Sequence, residues 1–176
     1  MHCLLKFAQV VKIKRVLVAE ALHPAQTFWY FVTGATTDIA TIEWCKVFGS
    51  HGDDTHWTRV LPPKEHDRTR QDLLTTVKLD QEKWEQYRDS VVRYRNQLGA
   101  HHDLDANVDK FPHFDHALLA AYFMYERFYN LLPENELGGL PQSLERWSDT
   151  VIGNITPIIK KAFAGSAPLG SNMRRS

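Results

Sequence analysis

Apolar positions along the chain follow helical spacing almost throughout. Between residues 80 and 99, Trp84, Tyr87, Val91, Tyr94 and Leu98 step by three and four without a miss, which aligns them on one seam of a helix. Asp80 stands where an N-cap is expected, and Gly99 follows the seam where helices commonly stop. A second strong pattern runs from His113 to Leu132 and includes Phe114, Ala117, Leu118, Ala121, Tyr122, Tyr125 and Phe128, with Pro133 ending it. Leu4, Ala8, Val11, Val18 and Leu22 mark a helix over residues 3–22 that stops at His23-Pro24. Arg15 intrudes on that stripe, and Val16-Leu17-Val18 reads equally well as strand.

Residues 25–48 read as one long helix or two collinear pieces. The run is rich in rings, from Phe28 to Phe31, and then carries Ile39, Ile42 and Cys45 on one line. Its polar side is thin, so most of it is expected in the core. Asp54 or Thr55 is expected to cap a short helix through His56, Trp57 and Val60, stopped by Pro62-Pro63. Lys64 to Val77 predicts a short, mostly exposed helix. His101 to Pro112 is polar and acidic and reads as a connecting loop. Its acidic spacing is similar to a calcium loop, but Val108 and Lys110 replace the glycine and oxygen ligands that calcium needs. A last helix is expected from Gln142 to Phe163, bent at Pro157, followed by a disordered tail over residues 165–176. The sum is an all-α fold: a single-domain helical bundle of five or six helices over residues 1–164.

Composition narrows the function. The 176 residues are 43% apolar, enough for one sizeable core, and formal net charge is zero. A chain without a global basic field is poorly suited to nonspecific duplex-DNA binding, although a local basic cleft can still engage one or two phosphates. Cys3 and Cys45 are the only cysteines, which excludes a disulfide framework and a thiolate zinc site. Lys6, Lys12, Lys14 and Arg15 interrupt the apolar N-terminus before a secretory core builds up. No run approaches a membrane span. These features predict a soluble, cytoplasmic protein with no membrane partner. No Gly-x-Ser-x-Gly elbow and no phosphate-cradling glycine loop occurs.

The densest polar chemistry closes the 80–99 helix. Arg95, Asn96, His101 and His102 fall within about two turns of one another. At about 100° per residue, Arg95 lies beside the Val91 and Leu98 seam, at the rim of a buried interface, with Arg88 and Val92 on the same flank. His102 is nearly in line with Arg95 on a straight helix. His101 faces it only if the backbone turns at Gly99, so spacing leaves the choice of histidine open. Imidazole can pass protons near neutrality, and a guanidinium fork can hold a phosphate. Spacing alone favours a plainer role, in which Arg and His answer the carbonyls at a helix C-terminus.

The segment from Arg95 to His101 resembles the signature of the HEPN superfamily, an Arg followed by a polar residue and then a His four to six residues on. The Ala-His-His-Asp ending is more narrowly similar to HEPN proteins of the AbiU type, associated with abortive infection and toxin–antitoxin loci. The resemblance covers roughly residues 55–130. It implies a homodimer whose two motifs meet in one cleft, an RNA substrate, and metal-independent endoribonuclease activity. Arg95 and His101 or His102 would be the catalytic pair, with Asn96 helping to orient them, and no cofactor is required. An antitoxin protein is an implied partner. Some members of the superfamily are not nucleases, so a non-catalytic dimerisation or nucleotide-binding module is the alternative. A metal site built from His113, His116 and Asp115, with His56, His66, His101, His102 or Asp103, is the weaker competitor, because no Glu-x-x-His pair recurs on two helices. The rings of Phe28–Phe31 and of Tyr122, Phe123, Tyr125, Phe128 and Tyr129 are expected in the core or a dimer interface, with Trp57 and Trp84 as packing anchors.

Overall fold

The computed structural model describes residues 1–20, 26–50, 52–99 and 113–172. Among them are seven α-helices and no strand: α1 (His2–Ala19), α2 (Gln26–Phe48), α3 (Trp57–Val60), α4 (His66–Val77), α5 (Gln81–Gly99), α6 (Asp115–Tyr129) and α7 (Leu144–Asn172). The all-α expectation holds. The helices include α3, a separate single turn of four residues at the place where a short helix was expected. Pro63–Glu65 and Glu134–Glu136 form 3-10 turns. α1 stops at Ala19 with Glu20 as its C-cap, short of the expected end at residue 22; His23-Pro24 and the connecting loop from His101 to Pro112 fall outside the described residues.

The core forms where α2 meets α1 on one side and α5 on another; α7 and α6 also lie against α1, and α4 packs on α6. Trp44 of α2 is fully buried. Its ring stacks on Phe48 at 4.9 Å and meets Trp84 and Tyr87 of α5 edge-on at 6.0 and 6.2 Å. Truncating a buried tryptophan of this kind costs about 3–5 kcal/mol. The α5 seam buries Trp84, Val91 and Tyr94 as its spacing requires. The two exposed-end hydroxyls of that seam are used across helices. Tyr87 donates to the His113 carbonyl at 2.7 Å and accepts the Ala117 N–H at 3.2 Å, fastening the start of α6 onto α5. Tyr94 donates to Asp38 of α2 at 2.8 Å.

Asp80 caps α5 as expected, its carboxylate accepting the Lys83 N–H at 2.8 Å. The cap of α3 differs from expectation. It is His56, whose Nδ1 accepts the Thr58 N–H at 3.3 Å. Thr55 instead donates its hydroxyl to the Lys46 carbonyl at 2.8 Å, which ties the loop to the end of α2. α2 also departs from expectation. Its C-terminal half is in the core, but Phe28, Tyr30 and Phe31 are 59%, 60% and 75% exposed. The helix is apolar on opposite faces, and one core can cover only one of them. Trp29 does find cover, stacking at 4.0 Å on Phe163 and donating its indole N–H to Ser166 at 3.0 Å. α7 continues through Gly165 to Asn172, past the end expected at Phe163 and into the stretch read as a tail.

Thr69 of α4 is fully buried, and its hydroxyl finds no partner among the described residues. Thr69→Val keeps the shape and removes the stranded polar atom. Stability to urea should rise by about 1 kcal/mol, and a fall instead would mean that the hydroxyl is satisfied.

Candidate functional site

Arg95 lies on α5 one residue past the buried Tyr94 and is itself half-buried, whereas Asn96 is exposed. Its guanidinium donates through Nε and Nη2 to the Asn96 side-chain oxygen at 3.2 and 3.0 Å. Among the described residues, one acceptor thus holds two of the guanidinium donors. The guanidinium also acts on Cys45 of α2. Burial pushes that thiol up to about 11, while Arg95 pulls it down and Asp53 pushes it up. Arg95 therefore stands at the rim of the α2–α5 seam, where its angular position on the helix put it. α5 stays helical through Gly99. His101 and His102 lie outside the described residues, so the structure brings together Arg95 and Asn96 of the four predicted site residues.

A cleft of about 370 Å³ opens beside the same seam. Its floor is buried and mostly apolar: Phe48 from the end of α2, His56 and Trp57 from the α3 turn, Leu73 of α4 and Trp84 of α5. Its mouth is polar, formed by Arg70 of α4 and by Gln81, Glu85 and Arg88 of α5. Arg70 lies over the Trp57 ring at 6.0 Å and pairs with Asp67 at 3.0 Å. Arg88 pairs with Asp89 at 2.9 Å. Glu85 accepts the Gln81 side-chain N–H. Helical spacing puts Arg88 on the Arg95 flank, but no motif in the sequence marks the cleft. The only signal for it is that Arg88 and Arg95 are seven residues apart, close to two helical turns.

Three of the other histidines, His56, His66 and His116, have structural tasks. His66 donates from Nε2 to the Leu61 carbonyl at 2.9 Å, and His116 donates from Nδ1 to the Val77 carbonyl at 3.1 Å. His56 is 1% exposed, with Nδ1 engaged by Thr58. Among the described residues no three His, Cys, Asp or Glu side chains converge into a group able to hold a metal ion. No described helix is long and apolar enough to cross a membrane.

Two outcomes follow from this geometry. The described hydrogen bonds of Arg95 run to its exposed neighbour, so Arg95→Ala should leave the urea midpoint within about 0.5 kcal/mol of the parent, with an unchanged helical circular-dichroism spectrum. The seam itself should be sensitive to alkali. Burial raises Cys45 to about 11 and Tyr125 to about 12, and raises Tyr87 and Tyr94 further. Each group is higher in the folded state, so its contribution to stability is intact below the unfolded value and is lost as pH climbs toward the folded one. A pH series of thermal midpoints should be level with respect to these groups at neutrality, then fall from about pH 9 and more steeply above about pH 10.

Set against known proteins, the chain matches no family model, no curated protein and no solved structure.

Proposed function

We propose that this protein is a metal-independent endoribonuclease of toxin or phage-defence type, acting in the cytoplasm as a homodimer. The observation that carries the reading is the Arg95–Asn96 pair. It is a guanidinium held by a neighbouring amide oxygen at the rim of a packed seam, at the head of a segment that resembles the HEPN signature. In the reaction, an RNA 2′-oxygen attacks the adjacent phosphorus while His101 or His102 accepts its proton. The bond from phosphorus to the 5′-oxygen breaks, and an imidazolium returns a proton to that oxygen. The products are a 2′,3′-cyclic phosphate and a 5′-hydroxyl. Arg95 stabilises the charge that builds on the phosphoryl oxygens. Nothing in the sequence of bonds needs a metal.

A surface stripe on α2 supports pairing. Phe28, Phe31, Ile39 and Ile42 are 59%, 75%, 38% and 42% exposed. At about 100° per residue they fall within about 80° of one another, along about 21 Å of helix. Exposed apolar surface of this continuity is characteristic of interaction sites. Ile42 is less than a turn from Cys45, whose thiol Arg95 pulls down. The same stripe favours the second reading, a non-catalytic dimerisation module. An antitoxin protein is the further partner that the toxin reading implies.

Purified protein in excess EDTA should cut single-stranded RNA and leave cyclic-phosphate ends. Arg95→Ala should reduce the rate at least about a hundredfold while the fold is kept. Separate alanine variants of His101 and His102 identify the proton carrier by the larger loss. Cleavage that stops on chelation would refute the metal-free mechanism, and absence of any cleavage would leave the dimerisation module.

A further inference from the structure

We propose that the cleft between α3, α4 and α5 is a base-holding subsite for the RNA strand, and that it accepts an unpaired nucleotide whose base carries an exocyclic amine. The placement on an RNA path rests on the ribonuclease reading of Arg95; the chemistry of the cleft stands by itself. At about 370 Å³ it has the size of a small-ligand site. Its floor is closed by the rings of Trp57 and Trp84, each only 7% exposed, so a base entering the cleft meets a small apolar patch and is held chiefly by the polar groups at the mouth.

The mouth supplies the other two parts of a nucleotide. Arg70 and Arg88 reach the cleft from different helices, α4 and α5. Both are now tied to exposed carboxylates on their own helices, Asp67 and Asp89. Ion pairs at such exposed positions contribute little, so a phosphate can take over either guanidinium. Glu85, once ionised, can only accept hydrogen bonds. In the free protein it accepts from the Gln81 amide. The exocyclic amines of adenine (N6), cytosine (N4) and guanine (N2) can replace that donor, whereas uracil has no exocyclic amine and offers only its ring N3–H.

The cleft is in register with Arg95. Arg88 and Arg95 are seven residues apart on the same flank of α5, a rise of about 10 Å. That is about three nucleotides at the ~3.4 Å spacing of one stacked strand. A strand with its phosphate at Arg95 can therefore place a neighbouring base in the cleft.

The test uses the full chain and the tryptophan fluorescence of Trp57 and Trp84. AMP titrated into the protein should quench emission saturably, and UMP should bind at least about tenfold more weakly. Arg88→Ala should weaken AMP binding by about tenfold with an unchanged thermal midpoint. Glu85→Gln, whose amide can also donate, should narrow the difference between AMP and UMP. In cleavage assays the parent should prefer RNA with A, C or G rather than U within three nucleotides of the cut, and Arg88→Ala should raise KM. Equal binding of AMP and UMP, or no quenching by either, would overturn the subsite even if EDTA-treated protein cuts RNA. Selective AMP binding lost in Arg88→Ala, together with no cleavage, would support the cleft as a nucleotide site and overturn the nuclease reading.

Discussion

The contact on which the rest of the structure depends is the crossing of α2 and α5 through Trp44, Phe48, Trp84 and Tyr87. These rings meet by stacking and by edge-to-face contact, geometries that fix orientation as well as distance. A crossing built from aliphatic side chains could slide by part of a turn, whereas this one has few alternatives of equal energy. Everything polar on α5 is placed by it. Tyr87 reaches the first turn of α6, Tyr94 reaches Asp38, and Arg95 lies near enough for its charge to pull the Cys45 thiol down. Phe48 and Trp84 also form part of the cleft wall. Packing and chemistry thus share the same side chains.

Zero net charge conceals an uneven surface. On α2, Glu43 keeps its charge in a nearly buried position because Lys6 and Lys46 each lie 2.9 Å from it. Burial pushes that carboxyl up, but the two lysine hydrogen bonds outweigh it and hold the group below its ordinary value. The arginines of the α4–α5 side are arranged differently. Arg70 and Arg88 are paired with exposed partners on their own helices, so their charge remains exchangeable. A neutral protein can in this way keep one set of cations locked into the fold and another available for an incoming anion.

How much could be read from the sequence depended on how local the cause was. The α5 seam and its Asp80 cap follow from spacing and one side chain, and both are present. The rim position of Arg95 followed from helical angles alone. The cap of α3 was assigned to Asp54 or Thr55, but His56 takes that place while the Thr55 hydroxyl is drawn to the Lys46 carbonyl. The exposed half of α2 was misread for a different reason. Apolar content says that a helix wants cover, not whether this chain has enough surface to cover both of its faces. The cleft was least legible, since its walls come from the end of α2, from α3, from α4 and from α5. No window of sequence contains it.

Trp29 carries a consequence for how the chain reaches this state. It is held by Phe163 and by Ser166, the latter 137 positions away, and Lys12 meets Asp149 across the same separation. The crossing of α2 and α5, by contrast, is complete once residue 99 exists. Closing contacts over such long separations carries the larger loop-closure entropy, so the ring-rich start of α2 depends for its cover on the most distant part of the chain.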